Sequence, residues 1–217
     1  MQREWKRALF LGACLAVLSC PAARAQAHQT RTSSHTDIAL SVYGAFSGST
    51  TGNGVMQSPS NAAGGLFEVR HIKNPILGFE ATYAFNRANQ VYNPMYLPVA
   101  CPTNGCSYLP AIVSANAHEV TADWVPSVRL GNLRPFAVLG GGLLLNVPSS
   151  GQTNTSTAYK PVYVYGAGVD WELLPHLGLR LQYRGNLYNT PDLTKLYRSS
   201  GVFTHTAEPM AGVFFRF

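Results

Sequence analysis

The sequence predicts an all-β protein, a closed antiparallel up-and-down transmembrane β-barrel of eight strands. Three observations predict it. Beyond residue 27, apolar and polar residues alternate with a period of two in segments of about ten, the pattern of strands with one dry and one wet face. The breaks between these segments alternate between short and long. Only 12% of the 217 residues are charged, against about 25% in soluble domains. No long unbroken apolar run follows residue 27, so the apolar residues are interspersed, as a lipid-facing strand surface requires.

Residues 1–27 have the three parts of a secretory signal peptide: a basic start (Arg3, Lys6, Arg7), an apolar middle (Ala8 to Leu18) and a small-residue exit at Ala23-Arg24-Ala25 or Ala25-Gln26-Ala27. The apolar run falls short of the roughly 20 residues that cross a bilayer as a helix, so cleavage is expected. A lipoprotein reading would place the lipid on Cys20 after Val17-Leu18-Ser19, with Leu18 larger than is usual there. Residues 28–36 then form a short periplasmic N-terminal segment, and residues 37–217 the barrel domain. The net charge of +6 includes four basic residues and one acidic residue of the leader, which leaves the rest near +3. That is too mild for a nucleic-acid partner.

Cys14 and Cys20 lie in the leader, so Cys101 and Cys106 are the remaining pair. An exported chain meets an oxidising compartment, and a disulfide between them is expected. Their spacing is not the two-residue metal pattern, and no clustered His or Cys completes four ligands, so no metal site is expected.

The first segment, Asp37 to Ser47, places Ile38, Leu40, Val42 and Phe46 opposite Ala39, Ser41, Tyr43 and Ala45. In the second, Ala62 to Ile72, Phe67, Val69 and His71 oppose Glu68 and Arg70. The third, Ile76 to Asn86, is nearly perfect: Leu77, Phe79, Ala81, Tyr83 and Phe85 against Glu80, Thr82, Ala84 and Asn86. The fourth, Ala117 to Val125, sets Val120, Ala122 and Trp124 against Glu119, Thr121 and Asp123. The fifth, Arg134 to Val147, is apolar on both faces through Gly140-Gly141-Gly142 and Leu143-Leu144-Leu145, which leaves its facing open. The sixth, Lys160 to Glu172, sets Tyr163, Tyr165, Val169 and Trp171 against Val164, Asp170 and Glu172. The seventh, His176 to Tyr188, sets Leu177, Leu179, Leu181 and Tyr183 against Arg180, Gln182 and Arg184. The eighth, Thr204 to Phe217, sets Ala211, Val213, Phe215 and Phe217 against Glu208, Met210, Phe214 and Arg216.

Short breaks at residues 73–75, 127–133 and 173–175 alternate with long ones at 48–61, 87–116, 148–159 and 189–203. Short turns on one side and long loops on the other is the layout of outer-membrane barrels. Closure follows, because lipid offers backbone N–H and C=O groups no partner and only an edgeless sheet satisfies them all. A ten-stranded variant stays open, since residues 87–116 have room for a hairpin around Tyr108 to Ser114. Trp124, Trp171, Phe79, Phe215 and Phe217 fall at the turn ends, and Phe46, Phe85 and Tyr183 at the loop ends, where aromatic girdles are expected.

Three stretches carry a family likeness: the ending Ala211-Gly212-Val213-Phe214-Phe215-Arg216-Phe217, the strand Gly166-Ala167-Gly168-Val169-Asp170-Trp171, and His176-Leu177-Gly178-Leu179-Arg180-Leu181-Gln182-Tyr183-Arg184. On these the chain resembles the small eight-stranded OmpA-like and OmpX-like outer-membrane barrels, across essentially its whole mature length. The resemblance implies a place in the bacterial outer membrane, with lipid and lipopolysaccharide as neighbours. It also implies recognition of Val213, Phe215 and Phe217 by the barrel assembly machinery. With nothing after Phe217 to form a peptidoglycan-binding domain, tethering to the cell wall is not implied.

The charged residues fall on the faces opposite the apolar ones: Glu68, Arg70, Glu80, Glu119 and Asp123, then Asp170, Glu172, Arg180 and Arg184, then Glu208 and Arg216. An eight-stranded barrel is only wide enough for side chains to fill, so these should pair across the lumen as a polar plug. A narrow pore for small solutes is the alternative. A lipid-modifying enzyme would need a Ser, a His and an acid near the outer leaflet; Ser114, His118 and Glu119, or His205 between two threonines, offer the types without a motif. No catalytic site and no cofactor is expected. Tyr92, Tyr96 and Tyr108, in the loop that holds Cys101 and Cys106, are the candidates for contact with an extracellular ligand or host surface. A loop stapled against proteolysis is the competing reading.

Overall fold

The computed structural model describes residues 34–95 and 109–217. The expected signal peptide with Cys20, most of segment 28–36, and Tyr96, Cys101, Cys106 and Tyr108 lie outside the described residues. Among the described residues ten strands follow one another: β1 (His35–Ser47), β2 (Thr50–Gly52), β3 (Val55–Pro59), β4 (Ala62–Ile72), β5 (Gly78–Pro94), β6 (Ala111–Trp124), β7 (Leu133–Pro148), β8 (Ala158–Leu174), β9 (Leu177–Asn189) and β10 (Phe203–Arg216).

Eight of them close the barrel. Antiparallel pairing runs β1-β4-β5-β6-β7-β8-β9-β10, and β1 returns to β10 from Asp37↔Arg216 to Ser47↔Thr206. No sheet edge is left in the wall, which is the condition lipid imposes. β1 begins at His35, two residues before the expected Asp37.

Two strands beyond the expected eight lie within residues 48–61, expected as loop. β2 and β3 form a hairpin outside the eight-stranded wall, and β3 pairs with the far part of β5, from Val55↔Pro94 to Pro59↔Gln90. Its two-residue turn, Asn53-Gly54, has positive φ at both positions (48° and 72°), the type I′ geometry for which Asn-Gly is the strongest short signal. β5 and β6 overrun their expected bounds and pair up to Tyr92↔Ala111. The apolar alternation fades at this end, but backbone pairing continues.

The turn end is tight. Asn74 Oδ1 accepts from the backbone N–H of Ile76 (3.0 Å) and Leu77 (2.8 Å), an Asx turn. Gly131, at φ 62°, turns the chain between Leu130 and Leu133, which exchange both backbone hydrogen bonds.

The wall has two opposed faces. Leu40 and Val42 are 61% and 71% exposed on the outside, whereas Ala39 and Ser41 between them are 1% and 5% exposed. The open facing of β7 is settled by Arg134, Phe136, Val138 and Leu144, all buried inside, with Leu139 and Leu143 outside. The glycine run permits close strand approach, since a Cβ on Gly142 would lie 1.9 Å from Val120 O. Trp124, Trp171, Phe79, Phe46, Phe85 and Tyr183 all lie exposed on the outer face. Inside, the β7–β8 flank contributes an apolar cluster of Phe136, Val138, Val162 and Val164, so the lumen is not polar all round.

A layered charge network in the lumen

Inward positions alternate along every strand, so neighbouring strands deliver their charges into the lumen in layers. At the turn end, Arg216 from β10 donates through Nε to Asp37 Oδ1 on β1 (2.8 Å) and also binds Glu172 on β8. Arg134 from β7 lies 3.8 Å from Glu172 and donates to His35. Asp37, Arg134 and His35 belong to this network and were not foreseen. Asp37 shares the parity of Ala39 and Ser41, and Arg134 becomes legible once the facing of β7 is known.

The middle layer is the densest. Arg70 on β4 donates to Glu80 on β5 through Nε (2.9 Å) and Nη2 (2.6 Å), and its guanidinium reaches Glu68 (3.0 Å) and Asp170 (3.4 Å). Arg180 on β9 donates to Asp170 through Nε (2.6 Å) and Nη2 (2.9 Å) and also binds Glu68 across the lumen. Aromatic rings cover the guanidinium groups: the Phe136 ring centre lies 4.0 Å from Arg70 Cζ, and Phe214 lies between Arg180 (5.2 Å) and Arg216 (5.3 Å). Such stacking suits arginine better than lysine.

In the third layer Arg184 contacts Glu119 (3.4 Å) and Asp123 (3.6 Å) on β6, and donates to the hydroxyls of Thr82 and Thr121 (both 3.2 Å). Asn186 Nδ2 donates to Glu119 Oε2 (2.9 Å). Glu208 on β10 is buried at this level without an ion pair to Arg184. The structure thus brings ten of the eleven anticipated charges into ion pairs and leaves Glu208 apart.

The loop end is strapped across its mouth. Leu193, in the β9–β10 connection, is fully buried against Val55, Tyr92, Val113, Ala115 and Ala158. Tyr92 donates its hydroxyl to Pro191 O (2.7 Å) and accepts from Leu193 N–H (3.0 Å). Its expected role as a contact residue is therefore corrected: the ring is fully buried, because β5 continues past the expected loop boundary and turns this side chain into the interior. Asp192 caps the strap, accepting from Ser199 N–H (2.6 Å) with Lys160 at 3.6 Å.

The Ser-His-acid set is not assembled. Glu119 lies inside, bound to Arg184 and Asn186, whereas His118 is on the outer face, hydrogen-bonded to Tyr83 (2.8 Å) and against Phe85. His205 likewise meets Tyr165 (2.9 Å). Among the described residues no group of three or more His, Cys, Asp or Glu is placed to hold a metal.

No family model and no curated protein matches the chain. Among solved structures it is similar to Neisserial surface protein A, at 13% identity over 84% of this chain and 97% of that one, with a TM-score of 0.54. It is also similar to Ail, the attachment invasion locus protein of Yersinia pestis, in complex with the heparin analogue sucrose octasulfate, at 17% identity over 85% and 99% of the two chains, with a TM-score of 0.52. With its closed eight-stranded wall, apolar outside and charged inside, the chain has the fold of the small outer-membrane β-barrels.

Proposed function

We propose that the chain is an integral protein of the bacterial outer membrane, non-enzymatic, with a lumen closed by its own side chains and a structural or surface-interaction role. One observation carries this reading: Arg70, Arg180 and Arg184 have no exposed surface inside a wall whose outer face is aliphatic and aromatic. A solute would have to break the ion pairs to pass. Lipid and lipopolysaccharide surround the wall in this reading. The outward Val213, Phe215 and Phe217 are the signal for the barrel assembly machinery after export by the signal peptide. An extracellular ligand or host surface would meet the loop end, where Tyr96, Tyr108 and a Cys101–Cys106 disulfide remain the candidate contact region, since Tyr92 is committed to the interior.

The test is mobility on a denaturing gel, with and without boiling, of protein taken from isolated outer membranes, followed by conductance in a planar bilayer. A boiling-dependent shift with no unitary conductance is expected. Steady channel openings would replace the plug by the narrow-pore reading, and absence from that membrane would remove the proposal.

A further inference from the structure

Above Arg184 the lumen widens into a cavity of about 40 Å³. Short side chains, Ala45, Ala84 and Ala117 among them, make the space, and Glu119, Glu208, Asn146 and Asn186 reach it. Three carboxylates, Glu119, Asp123 and Glu208, face a single guanidinium at this level. Two negative charges are therefore uncompensated in a place where water is scarce, and such charges require a counter-ion or a proton.

A separate observation points to what fills the cavity. Asn186 is 1% exposed. Its Nδ2 donates to Glu119 Oε2 at 2.9 Å, the orientation that an ionised carboxylate requires, since it only accepts. Asn186 Oδ1 is consequently left as an acceptor with no donor, and Glu208 Oε2 is in the same condition. A buried acceptor without a donor is destabilising, and these two line one cavity together with the Glu119 carboxylate. Arg184 cannot serve them with the terminal nitrogen already shared by Glu119, Asp123 and Thr121.

We propose that this cavity binds one oxygen-seeking divalent cation of the Ca²⁺ type, held by the Glu119 and Glu208 carboxylates and Asn186 Oδ1. A single divalent ion cancels the uncompensated charge. The donor set is oxygen alone, which selects hard cations over zinc or copper. A mixed carboxylate and amide set of irregular shape suits Ca²⁺, because Mg²⁺ demands near-ideal octahedral geometry and dehydrates reluctantly. The volume exceeds the roughly 10–15 Å³ needed by one water-sized sphere, so an ion and a companion water fit. Asn146 Nδ2, a buried donor without a partner on the same cavity, is placed to donate to that water.

The experiment uses the full chain folded in micelles, with the boiling-dependent gel shift as the check on folding. Tyr43 and Tyr188 line the cavity, so tyrosine excitation should sensitise Tb³⁺ luminescence that Ca²⁺ displaces. About one displaceable Tb³⁺ per barrel is expected, with affinity at least ~10-fold weaker in Glu208→Gln and unchanged in Asp192→Asn, which removes the acid of the strap. In the wild-type barrel Ca²⁺ should also raise the unfolding temperature by mass action, and more than equal Mg²⁺ does. No saturable signal, equal binding by Glu208→Gln, or loss in Asp192→Asn alone would overturn the site. If Glu208→Gln does not fold, the wild-type measurement decides: no Ca²⁺-dependent rise means that protons neutralise the layer, and the proposal fails.

Discussion

Arg180 on β9 grips Asp170 on the adjacent β8 with two parallel bonds, Nε to Oδ1 at 2.6 Å and Nη2 to Oδ2 at 2.9 Å. The two residues are direct cross-strand partners in the register, and both are fully buried. The pair therefore locks the β8–β9 register while the same guanidinium crosses the lumen to Glu68 on β4. Removing one partner of a buried pair strands the other charge. Arg180→Met should destabilise the barrel by about 3–5 kcal/mol, read as the shift of the urea unfolding curve in vesicles. Asp170→Asn added to it should restore part of the loss, and strict additivity would show that the two residues act independently.

The two faces of β9 should respond unequally to substitution. Leu181 is 56% exposed on the outer wall, and its neighbour Gln182 is 5% exposed inside with neither amide atom partnered. Leu181→Arg should cost about 2–4 kcal/mol if it sits near the bilayer midplane. Gln182→Met should change stability by less than about 1 kcal/mol, because it removes polar atoms that gain nothing from burial. Equal costs at both positions would contradict the assigned faces.

Asp192 makes the strap over the mouth sensitive to acid. Partial burial by itself raises its carboxyl, but hydrogen bonds from Ser199 and the Lys160 ammonium outweigh this and hold it below the ordinary 3.8. A depressed carboxyl stabilises the fold above its unfolded value, and that contribution is lost as pH falls through the lower folded value. Hydrogen exchange of residues 190–202, corrected for intrinsic rates, should show constant protection from neutral pH down to about 4 and a decline below it. Asp192→Asn should lower the plateau and remove the acid-dependent step.

Phe217 contributes little to the finished barrel. It is 67% exposed, its N–H donates to Thr36 O (2.9 Å), and its ring meets Phe215 edge-on at 5.0 Å between centres. Deleting it should sharply reduce the heat-modifiable protein recovered from outer membranes while moving the unfolding midpoint of the assembled fraction only slightly. A midpoint loss as large as that of Arg180→Met, with normal assembly, would make Phe217 a structural residue and not an assembly signal.

Much of this architecture was written in single residues. Phe79, Ala81 and Tyr83 alternating with Glu80 and Thr82 determined the facing of β5, because a strand's side chains change sides at every step and only one set tolerates lipid. The same parity assigned Glu68, Arg70, Asp170, Arg180 and Arg184 to the interior. Asn53-Gly54 carried a hairpin signal inside a stretch assigned to loop, and Asp37 was inward by parity with Ala39. Three things were decided by the closed barrel alone. Gly140 to Leu145 has no alternation to read, and the facing of β7 shows only in the closed barrel, where Arg134, Phe136, Val138 and Leu144 are buried inside. The partners of each arginine depend on strand stagger, which brings Arg180 to Glu68, 112 residues away in the chain. Tyr92 was expected to face outward as a loop residue, and it is the return of the β9–β10 connection with Leu193 that buries it. Periodicity is local and survives in the sequence, whereas pairing across a lumen is set by closure, where residues far apart in the chain are brought within a hydrogen-bond length.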